Sequence, residues 1–312
     1  MALTAEKQQG ISRRDFIKAC SMVTGNAFFG FAPGKLVKTK LQHLINIPPS
    51  LALHSSDGMV EFLPDLLNLL KENGFTGTTY QAWVQGVLTN KPIRNPVIIS
   101  IDDISLAQNG CAGFETFVQM KEWIQAAGMT AVFGVITQPV INDQPQTVQD
   151  ETRWDMMAQW VKEGFELASH TTYHSNFNAI DTAPRPDFKT VDYHAEIVDS
   201  AKLIEEKLGE RGANYQVTTL ITPYGSGYSY RLPEHAVHAG ILEACQHTNL
   251  QLIVGIVEGR TPLSLNEFFH SDDPVYVGRI PPAYLNQENG QRLPLAAQTL
   301  SWLQSWQTNY HQ

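Results

Sequence analysis

Two apolar runs in this 312-residue chain stop abruptly on ionisable side chains. Val97-Ile98-Ile99-Ser100-Ile101 ends at Asp102-Asp103, and Phe165-Glu166-Leu167-Ala168-Ser169 ends at His170-Thr171-Thr172-Tyr173-His174. A β-branched or apolar run that breaks at carboxylates or imidazoles is the pattern of a buried parallel strand, which presents polar groups at its carboxyl end. A third run, Leu51-Ala52-Leu53, ends in the same way at His54.

Helical patterns separate these runs. Glu61 to Glu72 places Phe62, Leu66, Leu69 and Leu70 at helical spacing, tolerates Pro64 in its first turn and stops at Asn73-Gly74. Phe114 to Ala126, Trp154 to Glu163, Tyr193 to Leu208 and Leu295 to Trp306 read as further helices, and Thr130 to Ile136, Val217 to Thr222, Leu252 to Val257 and Tyr276 to Ile280 as further strands. Strands alternating with helices imply a parallel sheet with right-handed crossovers. Polar groups at the ends of several separate strands must converge on one mouth to form one site, so a closed or distorted (β/α) barrel is expected rather than an open sheet. The long connection from Thr137 to Asp150 belongs at that mouth, where it would shape a substrate groove.

At 43% hydrophobic residues the chain can bury one large core, and neither an internal repeat nor a low-complexity segment divides it. The net charge of −9, with few basic clusters, argues against nucleic acid or an anionic membrane surface as the main partner. Ser12-Arg13-Arg14-Asp15-Phe16-Ile17-Lys18 before the weakly apolar stretch Ala19 to Ala32 is similar to a twin-arginine export signal. The expected organisation is therefore a leader over residues 1–32 and a single domain over 33–312, exported to the periplasm or beyond. Outside the leader there is no run of about 20 apolar residues, so no stable membrane insertion is expected after processing. Cys111 and Cys245 leave two outcomes open, pairing in an oxidising compartment or burial as inert thiols.

The chemistry rests on the strand ends. Two histidines four residues apart reach one cation if the segment turns helically after its strand. Asp102-Asp103 is expensive to bury without a compensating charge, which a divalent cation supplies. One carboxylate and two imidazoles hold such a cation with a position left for water, and the second carboxylate is then available as a base. That combination points to a metal-dependent hydrolase. His235, His238 and His247 lie on or near a helix and read as solvated, and Trp154, Trp160, Trp302 and Trp306 as core, with Trp83 undecided.

In their order, these segments resemble the NodB-homology polysaccharide deacetylases, carbohydrate esterase family four. Asn95-Pro96-Val97-Ile98-Ile99-Ser100-Ile101-Asp102-Asp103 is similar to the family's first motif, His170-Thr171-Thr172-Tyr173-His174 to its second and Leu220-Ile221-Thr222-Pro223-Tyr224-Gly225 to its third. Leu53-His54, Asn73-Gly74-Phe75-Thr76 and Asp273-Pro274-Val275-Tyr276-Val277-Gly278-Arg279-Ile280 further resemble the exported branch that deacetylates poly-N-acetylglucosamine. The resemblance implies a distorted (β/α) barrel of the NodB-homology type and an N-acetylated polysaccharide as substrate. It implies a divalent metal, zinc foremost, on Asp103, His170 and His174, with Asp102 as base, the Tyr224 backbone N–H at the oxyanion and His54 as acid.

Two departures stand out. Ile104 replaces a usual glycine after Asp-Asp and would narrow the mouth, and the arginine that often precedes the third motif is missing, with Arg279 a candidate to supply its charge. Alternative expectations are a metal-dependent amidase on a non-sugar amide and a non-catalytic carbohydrate-binding relative.

Overall fold

The computed structural model describes residues 48–55, 59–110, 113–177, 191–227, 239–256, 274–286 and 292–310. The leader over residues 1–32, Cys111, His235, His238 and Asp273 lie outside the described residues. Among the described residues, no helix is long and apolar enough to cross a membrane.

The chain runs β1 (Ser50–Leu53), α1 (Met59–Glu72), β2 (Thr76–Thr78), α2 (Tyr80–Leu88), β3 (Pro96–Ser105), α3 (Phe114–Ala126) and β4 (Val132–Ile136). A small hairpin of β5 (Val140–Ile141) and β6 (Gln144–Pro145) follows, then α4 (Glu151–Lys162) and β7 (Glu166–Ser169). Next come a π-helical turn (His194–Asp199) continuing into α5 (Ser200–Gly209), then β8 (Thr219–Ile221), α6 (Ala239–Cys245), β9 (Leu252–Ile256) and β10 (Val275–Arg279). A hairpin of β11 (Tyr284–Asn286) and β12 (Arg292–Pro294) leads into α7 (Ala296–Tyr310).

The large sheet is parallel throughout, in the order β1-β3-β4-β7-β8-β9-β10, with β2 also paired to β3. Its ends meet. Ala52 N–H donates to Ile280 O at 2.9 Å and Ile280 N–H to Ser50 O at 3.0 Å, a parallel bridge that brings the end of β10 back onto β1. The result is the distorted (β/α) barrel expected from the sequence. Strand alternation sorts the core into two layers. Val97, Ile99 and Ile101 face the helices in the main apolar cluster, whereas Ile98 joins Val132, Ala168, Ile221, Leu252, Val254 and Val277 inside the barrel.

The inner cluster also contains Tyr80 and Trp83, which come from α2, a helix the sequence pattern did not reveal. Thr79 caps it by accepting from Ala82 N–H at 3.1 Å, and Gln81 N–H donates to Glu166 Oε2 at 2.9 Å. Glu166 opens β7 and accepts from Thr219 Oγ1, at the start of β8, at 2.6 Å. Helix α2 therefore closes the end of the barrel where the strands begin, and Trp83 is core.

Several helix expectations change: α4 begins three residues earlier than the pattern indicated and α7 ends four residues later. Helix α1 begins two residues earlier than the pattern indicated, so Pro64 falls beyond the first turn and removes one helical hydrogen bond. Trp302, expected in the core, is 42% exposed on α7, whereas Trp154, Trp160 and Trp306 are buried.

Burial pushes the Glu166 carboxyl above its ordinary value of 4.5, despite the bonds from Thr219 and Gln81. A raised native pKa means that the folded chain binds the proton more tightly than the unfolded one. Its contribution to stability is full below about pH 4.5 and is lost as the pH rises through the folded value. Glu166→Gln keeps the polar contacts without an ionisable proton, so its stability should fall less with rising pH. Urea midpoints measured from about pH 5 upward should diverge, with wild type the steeper; parallel curves would refute this.

Candidate active site

Strand β3 does not stop before the acid pair, as the sequence pattern implied, but carries it on a bulge. Ile101 pairs with Phe133 and Ile104 with Val135, so Asp102 and Asp103 share the one position opposite Gly134. The extra residue lets two successive carboxylates serve one site. Asp102 turns inward and is buried, while Asp103, at a φ of 68°, lies at the mouth with its side chain 40% exposed. A Cβ on Gly134 would lie 3.3 Å from Asp102 Oδ1 and 3.4 Å from His170 Cβ, so the missing side chain leaves room for both. A glycine inside a β-branched run was the available signal for such a close approach. Ile104 is fully buried and does not narrow the mouth.

His170 continues the β7 ladder, its N–H donating to Val135 O at 2.8 Å. The expected helical turn between His170 and His174 is absent. Thr171 and His174 instead adopt left-handed backbone angles, φ 71° and 61°, and His174 N–H donates to Thr171 Oγ1 at 3.0 Å. This tight turn brings the two imidazoles edge to face, with ring centroids 4.8 Å apart. Their Nε2 atoms lie 3.3 Å (His170) and 3.2 Å (His174) from Asp103 Oδ1.

The ligand atoms of Asp103, His170 and His174 all lie within 4.8 Å of one another. The donor set also fits a cation on chemical grounds. His170 Nδ1 is 2.9 Å from Ile221 O, and a carbonyl only accepts, so a ring proton sits on Nδ1 and it is Nε2, the nitrogen facing Asp103, that is placed to offer a lone pair to a cation. Asp103 Oδ1 is buried and receives no well-directed hydrogen bond. A buried carboxylate oxygen facing an imidazole lone pair is an arrangement that a shared divalent cation satisfies.

His54 follows β1 directly, and its Nδ1 is 3.0 Å from Asp103 Oδ2, on the oxygen the other two histidines leave open. That contact raises the His54 pKa above 6.5 against the opposing effect of burial. Tyr224 sits in the short 3-10 turn Pro223–Gly225 after β8, at a φ of 58°. Its exposed ring lies 4.7 Å from the His174 ring, so the third motif borders the histidine turn.

Arg279 occupies the place of the missing motif arginine in charge, from a different strand. Fully buried at the end of β10, it donates from Nη1 to Asp102 Oδ1 and from Nη2 to Asp102 Oδ2, both at 2.7 Å, and from Nη1 to Ser100 Oγ at 2.8 Å. Burial works to raise the Asp102 carboxyl, but the Arg279 guanidinium outweighs it and holds the group below its ordinary value. The contribution of Ser100 was not foreseen, since a lone serine in a strand gives no sign of what faces it.

Residues 89–243 match the family model described as polysaccharide deacetylase. The chain belongs to this family, the NodB-homology deacetylases, and is a hydrolase of carbon–nitrogen bonds. No curated protein matches it in sequence. Among solved structures it is similar to the Streptococcus pyogenes deacetylase PplD in complex with acetate, with 15% identity and a TM-score of 0.51 over 75% of this chain and 91% of the other. A de-N-acetylase from Aggregatibacter actinomycetemcomitans is similar at 16% identity and a TM-score of 0.51, over 74% of this chain and 93% of that one. At these identities the likeness shows the shared fold.

The buried pair makes a stability prediction. Arg279→Met leaves the Asp102 charge uncompensated and should cost about 3–5 kcal/mol in chemical denaturation, and Asp102→Asn in the same background should recover part of that loss. Equal stability of Arg279→Met and wild type would contradict the pairing.

Proposed function

We propose that the protein is a metal-dependent N-deacetylase of an N-acetylated polysaccharide of the poly-N-acetylglucosamine type, releasing acetate and leaving a free amine on the sugar. The observation that carries this reading is the convergence of Asp103, His170 and His174 around a buried carboxylate oxygen, beside an Asp102 held ionised by Arg279. In this reading Asp103, His170 and His174 hold a divalent cation, zinc foremost. Bound there, the cation supplies Lewis-acid chemistry, acidifying water and polarising an amide carbonyl.

The remaining roles belong to the chain's own residues. Asp102 accepts a proton from the attacking water as the water oxygen bonds to the acetamide carbon, and Arg279 keeps that carboxylate charged and fixed in orientation. Asp102 Oδ1 accepts from both Arg279 and the Ser100 hydroxyl, whereas Oδ2 accepts from Arg279 alone and keeps a further lone pair for this task. The Tyr224 backbone N–H stabilises the developing oxyanion. As the carbon–nitrogen bond breaks, His54, held at the mouth beside Asp103, delivers a proton to the leaving nitrogen.

The two sequence features that favoured a non-catalytic relative lose their weight. Ile104 is core, and a buried guanidinium stands where the motif arginine's charge is needed. The Streptococcus pyogenes neighbour, solved in complex with acetate, holds the product expected here. The twin-arginine pattern over residues 12–18 supports export, so the substrate would be met in the periplasm or outside the cell.

Acetate release from N-acetylglucosamine oligomers tests the proposal. The metal-loaded protein should release acetate at a rate that rises with oligomer length, a chelator should abolish release, and Asp102→Asn should lower the rate by about 10²–10⁴-fold. Metal bound stoichiometrically with no release from any acetylated polysaccharide would overturn it; release from small amides alone would assign the site to an amidase.

A further inference from the structure

The sequence pattern makes Tyr193 to Leu208 one continuous helix, but its first part, His194–Asp199, is π-helical. A π turn widens the helix by one residue per turn, redirects backbone carbonyls and recurs at functional sites. Here two carbonyls turn to the segment between the two site histidines. Ala195 O accepts from Thr172 Oγ1 at 2.5 Å, and Glu196 O accepts from Thr172 N–H at 3.0 Å.

The same turn carries a buried acid. Glu196 is 2% exposed, and among the described residues no lysine or arginine pairs with it. Its Oε2 accepts instead from two consecutive backbone amides, Thr172 N–H at 3.1 Å and Tyr173 N–H at 2.9 Å. These amides lie midway between His170 and His174, in a turn whose left-handed residues, Thr171 and His174, are costly for side chains with a Cβ. Such a turn persists only where its surroundings over-determine it, and charge-assisted bonds to a buried carboxylate are strong ones. On the other side, Thr137 N–H and Gln138 N–H donate to Thr171 O and Thr172 O at 3.2 and 2.8 Å. The histidine turn is thus clamped between the β4 end and the π-helical acid.

We propose that Glu196 is a positioning residue of the metal centre: by binding the Thr172 and Tyr173 amides it fixes the turn that spaces His170 and His174, and so sets the affinity of the site for its cation. The proposal rests on the metal-centre reading above. Residues that orient ligands in this way change metal affinity by about 10- to 100-fold when removed.

Zinc affinity, measured by competition with a chromogenic chelator on the metal-stripped full chain, tests it in wild type and in Glu196→Gln, Glu196→Asp and Glu196→Ala. Glutamine keeps an acceptor oxygen at the same reach and should retain most of the affinity. Aspartate, one methylene short, and alanine should each bind zinc about 10- to 100-fold more weakly. Thermal unfolding of each metal-free variant is recorded alongside, because a merely structural role predicts a lower Tm with unchanged zinc affinity. Wild-type affinity in the aspartate and alanine variants, or in the aspartate variant alone if alanine fails to fold, overturns the proposal. Absence of zinc binding by wild type itself overturns the metal-centre reading, and this proposal with it.

Discussion

The barrel closes at one seam, and the site depends on what lies beside it. Two hydrogen bonds at Ile280, one donated to Ser50 O and one accepted from Ala52 N–H, bring the end of β10 onto β1, and the preceding residue, Arg279, reaches across β1 to the bulge of β3. Burial by itself pushes the Asp102 carboxyl toward its neutral form. The guanidinium therefore depends on barrel closure for its position, and the carboxylate depends on the guanidinium for its charge. Ser100, two residues earlier on the same face of β3, accepts from the same Nη1 and fixes the fork's orientation.

The two ends of the barrel treat buried acids in opposite ways. At the strand starts, Glu166 meets a hydroxyl and a backbone amide but, among the described residues, no lysine or arginine, and burial pushes its carboxyl toward the neutral form. There the acid ties α2 across the barrel floor, a packing task for which charge is no advantage. At the strand ends Asp102 receives a bidentate guanidinium and stays ionised. Glu196 uses a third solution, spending one oxygen on two amides of the histidine turn. The acid that must accept a proton in the proposed reaction is the one given a full opposing charge.

Much of this was legible in the sequence, because periodicity and abrupt polarity changes report burial. The β/α alternation, the strands bearing Asp102, His170 and Thr219, and most helix limits follow from local pattern. What stayed hidden depends on three-dimensional fit. Helix α2 carries Tyr80 and Trp83 on one short face that fills the barrel, and in nine residues its pattern is too brief to separate from a loop. The bulge at Asp102-Asp103 and the left-handed turn at His170–His174 change how side chains converge without changing which residue types occur. The π turn at His194–Asp199 is likewise invisible to an apolar period.

The missing motif arginine shows why a motif is a weaker statement than a site. What Asp102 requires is a guanidinium fork in the plane of its carboxylate, at hydrogen-bond distance and out of water. Nothing in that requirement names the strand that supplies it. When β10 supplies it, the residues before Pro223 are released from carrying a charge, and Leu220 and Ile221 pack as core while the Ile221 carbonyl fixes the His170 tautomer. A cation at the Ile221 position would be buried in the inner apolar cluster, while the acid it would serve, Asp102, is already paired with a guanidinium. Arg279 at the seam and an apolar strand before Pro-Tyr-Gly therefore belong to one solution, in which each explains the other.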